Sequence, residues 1–438
     1  MSVSEKALAL WGGPKAVPEE DEKLFHWPLV TAEDEQAVLS VLRSGSMSGT
    51  DITKAFEREF AAWMELPYAL AVCNGTAGLA AAMWACGVGA GDEIICPSMT
   101  YWASAAPALT LGATVNFADI EASSLCLDPD DIEARIGPRT RAIVVVHYAG
   151  HPCDMDRIAT IARRNGVKII EDASHAQGSL YKGRKCGTLG DVCVMSLMAG
   201  KSFAIGEGGI ILTADRAIYE RCVAYGHYER TGAPSRFNPK DNQISDPELT
   251  PLSGIAVGAV KHRMNQTVSA MGRVQLKHYP ERIAEIQAAL NYFWDGLDGL
   301  PGVRPHRADR ADGSTMGGWY YPHGLYRAEQ LGGLSCERFC ESVRAEGFAY
   351  CLPGANKPLH LHPFFHQVDI FRQGRPTALA FGQRDVRQGP GSLAVSERID
   401  DICFTVPWFK HFDKKAIDRY VLAFRKVAEQ HGSLLKSV

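Results

Sequence analysis

Short apolar runs alternate with amphipathic stretches through the first half of this 438-residue chain. Strands that alternate with helices in this way predict a largely parallel sheet covered by helices on both faces, and the last two runs are close enough to pair directly. The runs bounded by turn residues predict strands at Ala69–Cys73, Glu93–Cys96, Thr114–Ala118, Ala142–Val146, Lys168–Ile170, Val192–Ser196 and Gly209–Thr213.

Helical periodicity marks the amphipathic stretches, and Thr31 has the side chain of a helix N-cap. The polar stretch 229–256 is long for a connection, which predicts a lid or a contact with a partner subunit. We therefore expect an α/β chain with a large domain at 1–285 and a smaller C-terminal α/β domain at 286–438. The clearest predicted helices are Thr31–Leu42, Ile52–Met64, Met264–Ala288, Glu337–Glu346 and Lys414–Gln430.

Composition excludes several classes of partner. The formal net charge of -4 and the pI near 6.4 provide no whole-chain attraction to nucleic acid or to an anionic membrane. No apolar run reaches transmembrane length, and the N-terminus lacks a signal-peptide pattern. The 12 cysteines show no paired metal-ligand spacing and are typical of reduced, buried thiols. A cytoplasmic enzyme is expected.

Lys201 stands between Ser196 and the turn Gly206-Glu207-Gly208-Gly209. This spacing predicts an amine held near the end of a strand, beside backbone that passes close to another group. Such an amine forms a Schiff base with an aldehyde once its pKa is low enough for nucleophilic attack. A surface lysine beside a hairpin turn is the alternative, because glycine pairs most often only permit positive φ.

Asp172 follows an apolar run, within Glu171-Asp172-Ala173-Ser174-His175-Ala176-Gln177-Gly178. A carboxylate at the end of a buried strand is costly unless it meets a cation or hydrogen-bond donors. The protonated ring nitrogen of pyridoxal phosphate is one such cation, and an aspartate beside it keeps the ring effective as an electron sink. A helix N-cap explains Asp172 equally well from the residues alone.

Two further segments end predicted strands. Asn74-Gly75-Thr76-Ala77-Gly78 precedes an alanine-rich helix, so its backbone amides and the Thr76 hydroxyl can approach an anion, although an ordinary N-capped helix has the same composition. Pro97-Ser98-Met99-Thr100-Tyr101 presents an aromatic ring that either stacks on a flat ligand or belongs to the core. Ligands of parallel sheets bind beyond the carboxyl ends of the strands, where all of these segments fall.

These four motifs, in this order and at these intervals, resemble the DegT/DnrJ/EryC1/StrS family of sugar aminotransferases. The resemblance extends from about Trp27 to about Leu276 and more loosely to the C-terminus. It implies the type I fold of pyridoxal phosphate-dependent transferases, with a mostly parallel central sheet. The segments Tyr350-Cys351-Leu352-Pro353 and Leu393-Ala394-Val395-Ser396-Glu397-Arg398 are loosely similar to the branch that acts on keto-cyclitols such as scyllo-inosose.

The resemblance also implies a role for each motif residue. Lys201 holds pyridoxal 5'-phosphate as an internal aldimine and, once freed, moves a proton between substrate and cofactor as general base and acid. Asp172 pairs with the ring nitrogen, and His175 lies near the ring oxygen. The cofactor phosphate is bound by Gly75, Thr76 and Ser196, and Tyr101 covers one ring face.

One position departs from the family pattern. Where members usually have an Asn-aromatic-Arg-Met motif, whose Asn reaches the phosphate of the neighbouring subunit, this chain has Lys261-His262-Arg263-Met264. A lysine still reaches a phosphate as a point charge, so Lys261 is expected to bind the cofactor across a homodimer with shared active sites. A solvated surface lysine is the alternative.

The sequence therefore predicts an aminotransferase that moves an amino group from Glu or Gln to a keto-sugar or keto-cyclitol. A sugar dehydratase of the same fold is one alternative, although enzymes of that type replace the Schiff-base lysine with histidine. A non-catalytic cofactor-binding regulator is another, and the presence of both Lys201 and Asp172 argues against it. No metal site is predicted, because His360, His362 and His366 lack a carboxylate or thiol at ligand spacing.

Overall fold

The alternating first half of the chain forms a seven-stranded sheet. A computed structural model describes residues 7–232 and 241–437. The strands of this sheet are β1 (Tyr68–Val72), β2 (Glu93–Pro97), β3 (Thr114–Ala118), β4 (Thr140–Val146), β5 (Lys168–Asp172), β8 (Val192–Ser196) and β9 (Gly209–Thr213). Between β5 and β8, a separate short hairpin is formed by β6 (Leu180–Tyr181) and β7 (Arg184–Lys185).

The sheet is mostly parallel, as the sequence predicts. Its strand order is β1-β9-β8-β5-β4-β2-β3, and β9 runs antiparallel to both of its neighbours. The direct pairing predicted for the last two strands is confirmed, with Met195 opposite Ile210. Strands β3, β8 and β9 have the predicted bounds. Strand β5 is longer than predicted, because its pairing with β8 continues to Asp172, which lies opposite Val194.

Helices flank the sheet and continue into the C-terminal part. Thr31 is confirmed as an N-cap, because its side chain and that of Asp34 form a reciprocal capping box. None of the described helices combines the length and apolar character needed to cross a membrane. The α-helices are Ala32–Ser44, Asp51–Met64, Gly75–Ala85, Pro107–Thr110, Pro129–Arg135, Met155–Asn165, Arg216–Gly226, Gln266–Gly296, Cys336–Ala345, Pro363–Gln367, Thr377–Ala380, Ala394–Glu397, Ile399–Ile402, Lys414–Glu429 and His431–Leu434.

Alternate residues of the sheet enter two separate cores. In β4, Ile143 and Val145 pack into one apolar cluster, whereas Ala142 and Val144 pack into the other. Both faces of this parallel strand are buried in this way, which explains the uninterrupted apolar run 142–146 of β4.

A third core surrounds a small antiparallel sheet in the C-terminal part, with strands β10 (Val303–Pro305), β11 (His323–Tyr326) and β12 (Cys403–Thr405). The predicted domain boundary lies inside the helix Gln266–Gly296. Ile283 of that helix packs with the main sheet, and Ile286 packs with the third core. The division into two domains stays a prediction.

The polar stretch 229–256 is described at both of its ends, and residues 233–240 within it lie outside the described residues. Before this gap, the buried guanidinium of Arg230 donates a hydrogen bond to Glu57 Oε2 at 2.8 Å. Beyond it, Asn242 forms a bridge with Thr231. The role as a lid or a subunit contact stays a prediction.

Candidate active site

A cavity of about 730 Å³ opens at the carboxyl ends of the parallel strands. Val146 ends β4, Asp172 ends β5 and Ser196 ends β8, and all three line the cavity. The parallel direction of these strands is what gathers their ends, although they are far apart in sequence. The predicted site residues that line the cavity are Gly75, Thr76, Tyr101, Asp172, His175, Ser196 and Lys201.

Lys201 lies in the loop that joins β8 to β9. Its amide donates to the Met198 carbonyl at 2.8 Å, and its own carbonyl accepts a hydrogen bond from the Trp27 indole at 2.9 Å. Only 8% of Lys201 is exposed, so the alternative of a surface lysine does not fit. Burial lowers its pKa from 10.5 to about 8, against a smaller opposing effect of the Asp172 carboxylate. The amine is therefore partly neutral near neutral pH.

Asp172 is held by two hydrogen-bond donors. Ser104 Oγ donates to Asp172 Oδ2 at 2.7 Å, and the Ser174 amide donates to Oδ1 at 3.1 Å. No helix begins at Asp172, since the chain continues into turns, so it is not an N-cap. Donors to both oxygens offset the cost of burying this carboxylate and fix its orientation. The site thus holds an anchored carboxylate at the cavity wall.

The junction between β1 and the helix Gly75–Ala85 lies against the end of β8. Asn74 caps this helix by accepting from the Ala77 amide at 2.8 Å, so the N-capped interpretation is correct and the helix start lines the cavity as well. A Cβ atom on Gly75 would lie 2.8 Å from Ser196 Cβ, and one on Gly209 would lie 2.6 Å from the Asn74 carbonyl carbon. Glycine is therefore required at both positions for this close approach.

Aromatic rings form much of the cavity wall. Tyr101 is 52% exposed and contacts Trp102 with ring centres 5.1 Å apart, so it is not a core residue. His175 is buried, and its Nδ1 accepts a hydrogen bond from the Ala149 amide at 3.3 Å. Burial first, and then the charge of Lys201, hold the pKa of His175 well below its usual value. A neutral His175 with Nδ1 as acceptor carries its proton on Nε2.

Lys261 does not line the cavity. It is exposed, and its Nζ lies 5.7 Å from the centre of the Tyr228 ring. A role in binding a phosphate within the same chain is therefore not supported, and the predicted role across a subunit interface stays a prediction.

The three C-terminal histidines bond to protein groups. His360 is hydrogen bonded to Ser98 Oγ at 2.6 Å and to Glu397 at 3.0 Å. His366 Nε2 donates to the His360 carbonyl, and His362 Nδ1 accepts from the Phe364 amide. Among the described residues, no group of three or more histidine, cysteine or acidic side chains is placed to hold a metal ion.

Several cavity residues are not among the sequence-predicted set. The cavity also receives side chains from the C-terminal part. Ser104, beyond β2, does not itself line the cavity, but it donates to Asp172 and is a further residue outside that set. Lys201 Nζ lies 3.9 Å from the centre of the Tyr320 ring, and His323 begins β11. No sequence motif marks Tyr321. In the structure, its backbone φ of 50° is unusual for a tyrosine. Tyr148 and Asn356 also line the wall.

A mostly parallel sheet with a buried lysine and an anchored carboxylate beyond its strand ends is the arrangement expected of a pyridoxal phosphate-dependent transferase. Residues 28–425 match the DegT/DnrJ/EryC1/StrS aminotransferase family, and the chain belongs to that family. The predicted family and its type I fold are thereby confirmed. Enzymes of this family depend on pyridoxal phosphate.

Individual relatives agree with this assignment. The spore coat polysaccharide biosynthesis protein SpsC of Bacillus subtilis is 30% identical over 383 residues, which are 86% of this chain and 94% of the relative. The L-glutamine:2-deoxy-scyllo-inosose aminotransferase of Streptomyces kanamyceticus is 32% identical over 77% of this chain and 78% of its own length. The crystal structure of an aminotransferase from Psychrobacter cryohalolentis superimposes with a TM-score of 0.77 at 26% identity, covering 93% of this chain and 99% of the other.

Proposed function

We propose that the chain is a pyridoxal phosphate-dependent aminotransferase that moves the amino group of glutamine or glutamate to the keto group of a sugar or cyclitol. The observation that carries the proposal is the shared cavity of Lys201 and Asp172, a buried amine of lowered pKa and an anchored carboxylate. The Streptomyces kanamyceticus relative bears the name of an L-glutamine:inosose aminotransferase, which supports this donor and this kind of acceptor.

The side chains of the cavity fit the cofactor. Lys201 would hold it through Nζ, and Asp172 would face its ring nitrogen. The helix start at Gly75 and Thr76, together with Ser196, provides amide and hydroxyl donors for the phosphate. The Nε2 proton of neutral His175 suits the ring oxygen, and Tyr101 would cover a ring face.

When bound, pyridoxal phosphate supplies an aldehyde that receives the amino group and a ring that accepts the electron pair left by loss of a proton. Lys201 Nζ, once free, removes the proton from the donor's α-carbon and later delivers a proton to the carbon of the acceptor's former keto group. Ser104 and Ser174 donate to Asp172 and hold its carboxylate in place through both half-reactions. The Tyr320 ring beside Nζ limits the access of water to the amine.

We further propose a homodimer in which Lys261 of one chain reaches the cofactor phosphate in the other. Its exposure and its position outside the cavity of its own chain support this role. Analytical ultracentrifugation of the full chain measures the oligomeric state, and a monomer at the concentrations used for assays would contradict the shared site. The cytoplasmic location expected from the composition stays a prediction.

A half-reaction without acceptor tests the proposed function. Protein loaded with pyridoxal phosphate and mixed with L-glutamine or L-glutamate is expected to release one equivalent of the corresponding 2-oxo acid per cofactor. The loss of the cofactor's aldehyde absorbance is expected to accompany the release, and protein without donor serves as the control. Retention of the cofactor without any 2-oxo acid from either donor would instead support a regulatory protein or a dehydratase.

The pKa of Lys201 predicts a pH dependence for cofactor capture. Because the neutral amine attacks the aldehyde, the rate for the apoprotein should rise about tenfold per pH unit below about pH 8 and level off above it. A lysine with the ordinary pKa of 10.5 would continue to gain rate well beyond that point. Stopped-flow absorbance over the range of roughly pH 6.5–9.5 measures the profile. A capture rate that still rises tenfold per pH unit at the upper end of this range would show that the reacting amine is not the buried amine of Lys201.

A further inference from the structure

His323 is a buried imidazole that the proposed chemistry does not use. The first residue of β11, it is fully buried and lines the cavity. Within the described part of the chain, neither of its ring nitrogens makes a hydrogen bond of normal geometry to protein, and a weak interaction with the Tyr321 backbone does not change this. Buried polar groups are nearly always hydrogen bonded, so an imidazole left in this state at a cavity wall indicates a ligand partner.

The charge state of His323 restricts that partner. Burial lowers its pKa to about 4, so the ring is neutral at cellular pH. A neutral imidazole has one N–H donor and one lone-pair acceptor. This combination suits hydroxyl groups, which both donate and accept, and it offers no charge to a phosphate.

The charges of the cavity wall point in the same direction. Among the described residues that line it, Lys201 is the cationic side chain, and the carboxylates of Asp172 and Glu207 line the same cavity. A nucleotide sugar carries a diphosphate, which proteins bind with arginine or lysine side chains. In the proposed enzyme, Lys201 is committed to the cofactor and Lys261 of a second copy to the cofactor phosphate. Neither remains to neutralise a second anion.

The rest of the wall around His323 suits a polyhydroxylated ring. Tyr148 and Tyr321 lie beside the imidazole, with ring centres 5.8 and 5.4 Å away. Tyr148 Oη donates to Asn356 Oδ1 at 2.8 Å, which fixes the orientation of that amide at the wall. Flat apolar faces combined with a few fixed polar groups are what a compact, uncharged ligand requires.

We propose that the acceptor is an uncharged polyhydroxylated ketone, such as a free keto-cyclitol, and that His323 binds its hydroxyl groups. The inference deepens the proposed aminotransferase function and rests on it. In the transfer, the ketone carbon loses its double bond to oxygen and gains the amino nitrogen and a proton. The ketone is reduced by two electrons and the aminated cofactor is oxidised by two to its aldehyde, with one water released and one consumed.

An acceptor comparison tests the proposal on the intact protein. The cofactor is first converted to its amine form with L-glutamine or L-glutamate, the donor is removed, and return of the aldehyde absorbance is followed on addition of acceptor. We expect scyllo-inosose, an uncharged keto-cyclitol, to restore the absorbance with a kcat/KM at least about 100-fold above that of a UDP-4-keto-6-deoxyhexose, because the described cavity wall leaves no free cation for the diphosphate. Restoration by the nucleotide sugar alone overturns the inference and leaves the aminotransferase proposal intact. Failure of the first conversion contradicts the aminotransferase proposal itself.

Variants of His323 test its own role. His323→Phe is expected to raise the KM for scyllo-inosose about tenfold for each hydrogen bond lost, while the half-reaction with the amino donor changes less than about twofold. His323→Gln, which keeps a donor and an acceptor, is expected to recover part of the loss. The matched control is His362→Ala, an exposed histidine outside the cavity. An unchanged KM in His323→Phe with normal cofactor content would contradict the assignment of His323, as would an equal loss in the donor half-reaction.

Discussion

Replacing Lys201 with alanine is expected to abolish amino transfer, with a fall of about 10⁴-fold in the half-reaction, the upper range for loss of a general acid–base group. The variant loses both the amine that holds the cofactor and the base that moves the proton. Pyridoxal phosphate should still bind through its phosphate and ring contacts, but without a covalent bond to protein. Treatment with borohydride followed by mass spectrometry measures the covalent linkage, and release of 2-oxo acid measures the rate.

The chain offers a matched control in a second buried lysine. Lys410 is 4% exposed, and burial alone holds its pKa well below the usual range. Its Nζ lies 5.0 Å from the centre of the Trp27 ring, and it does not line the cavity. Lys410→Met preserves the apolar stem and should retain the reducible linkage on Lys201. If the linkage survived in Lys201→Ala, or disappeared in Lys410→Met, Lys201 would not be the lysine that holds the cofactor.

The sheet was predictable because each of its strands carries its own local signal. Strands such as Thr114–Ala118 and Val192–Ser196 are short runs of mostly apolar residues that lie close to turn or polar residues, so their bounds can be read from composition. The strand-end motifs were predictable for a related reason. Parallel strands bring their carboxyl ends to one edge, and polar residues that follow an apolar run therefore share a site.

The remainder of the cavity has no such local signal. Tyr320, Tyr321 and His323 reach it from the C-terminal part, more than a hundred residues beyond Lys201 in sequence, and only tertiary packing brings them to the wall. Ser104, which supports Asp172 without lining the cavity, ends a short 3-10 helix within a run of small residues, where any serine would have the same appearance. Its importance depends on one hydrogen bond to Asp172, which sequence spacing does not encode.

The structure also decides between alternatives that the sequence leaves open for Asp172 and Asn74. Asp172 had the appearance of an N-cap, and only the turns that follow it exclude that role. For Asn74 both interpretations proved compatible, since a helix capped by Asn74 also presents its first amides to the cavity. An N-terminus is a binding site when it faces a cavity, and this depends on the whole fold.

Replacing Asp172 with asparagine is expected to leave cofactor binding intact and to slow the donor half-reaction by about 10²–10³-fold, the range for removal of one electrostatic stabiliser. The amide has nearly the same shape as the carboxylate but no charge to keep the cofactor ring nitrogen protonated. Half-reaction rates give the size of the effect. The ¹⁵N chemical shift of cofactor labelled at the ring nitrogen reports its protonation directly, and it should move toward the neutral value.

Ser104→Ala is expected to have the same kind of effect as Asp172→Asn, but a smaller one. Loss of the 2.7 Å hydrogen bond to Asp172 Oδ2 leaves the Ser174 amide as its donor, so the carboxylate should be held less firmly and should bind the ring nitrogen less specifically. A slower half-reaction, by about tenfold, and a smaller ¹⁵N shift in the same direction are expected. Ser98→Ala is the matched control, because Ser98 is an equally buried serine near the end of β2 whose hydroxyl bonds to His360 instead. If Ser98→Ala and Ser104→Ala changed the ¹⁵N chemical shift equally, the effect would come from general packing around β2. If Asp172→Asn left this chemical shift unchanged, the carboxylate would not face the ring nitrogen.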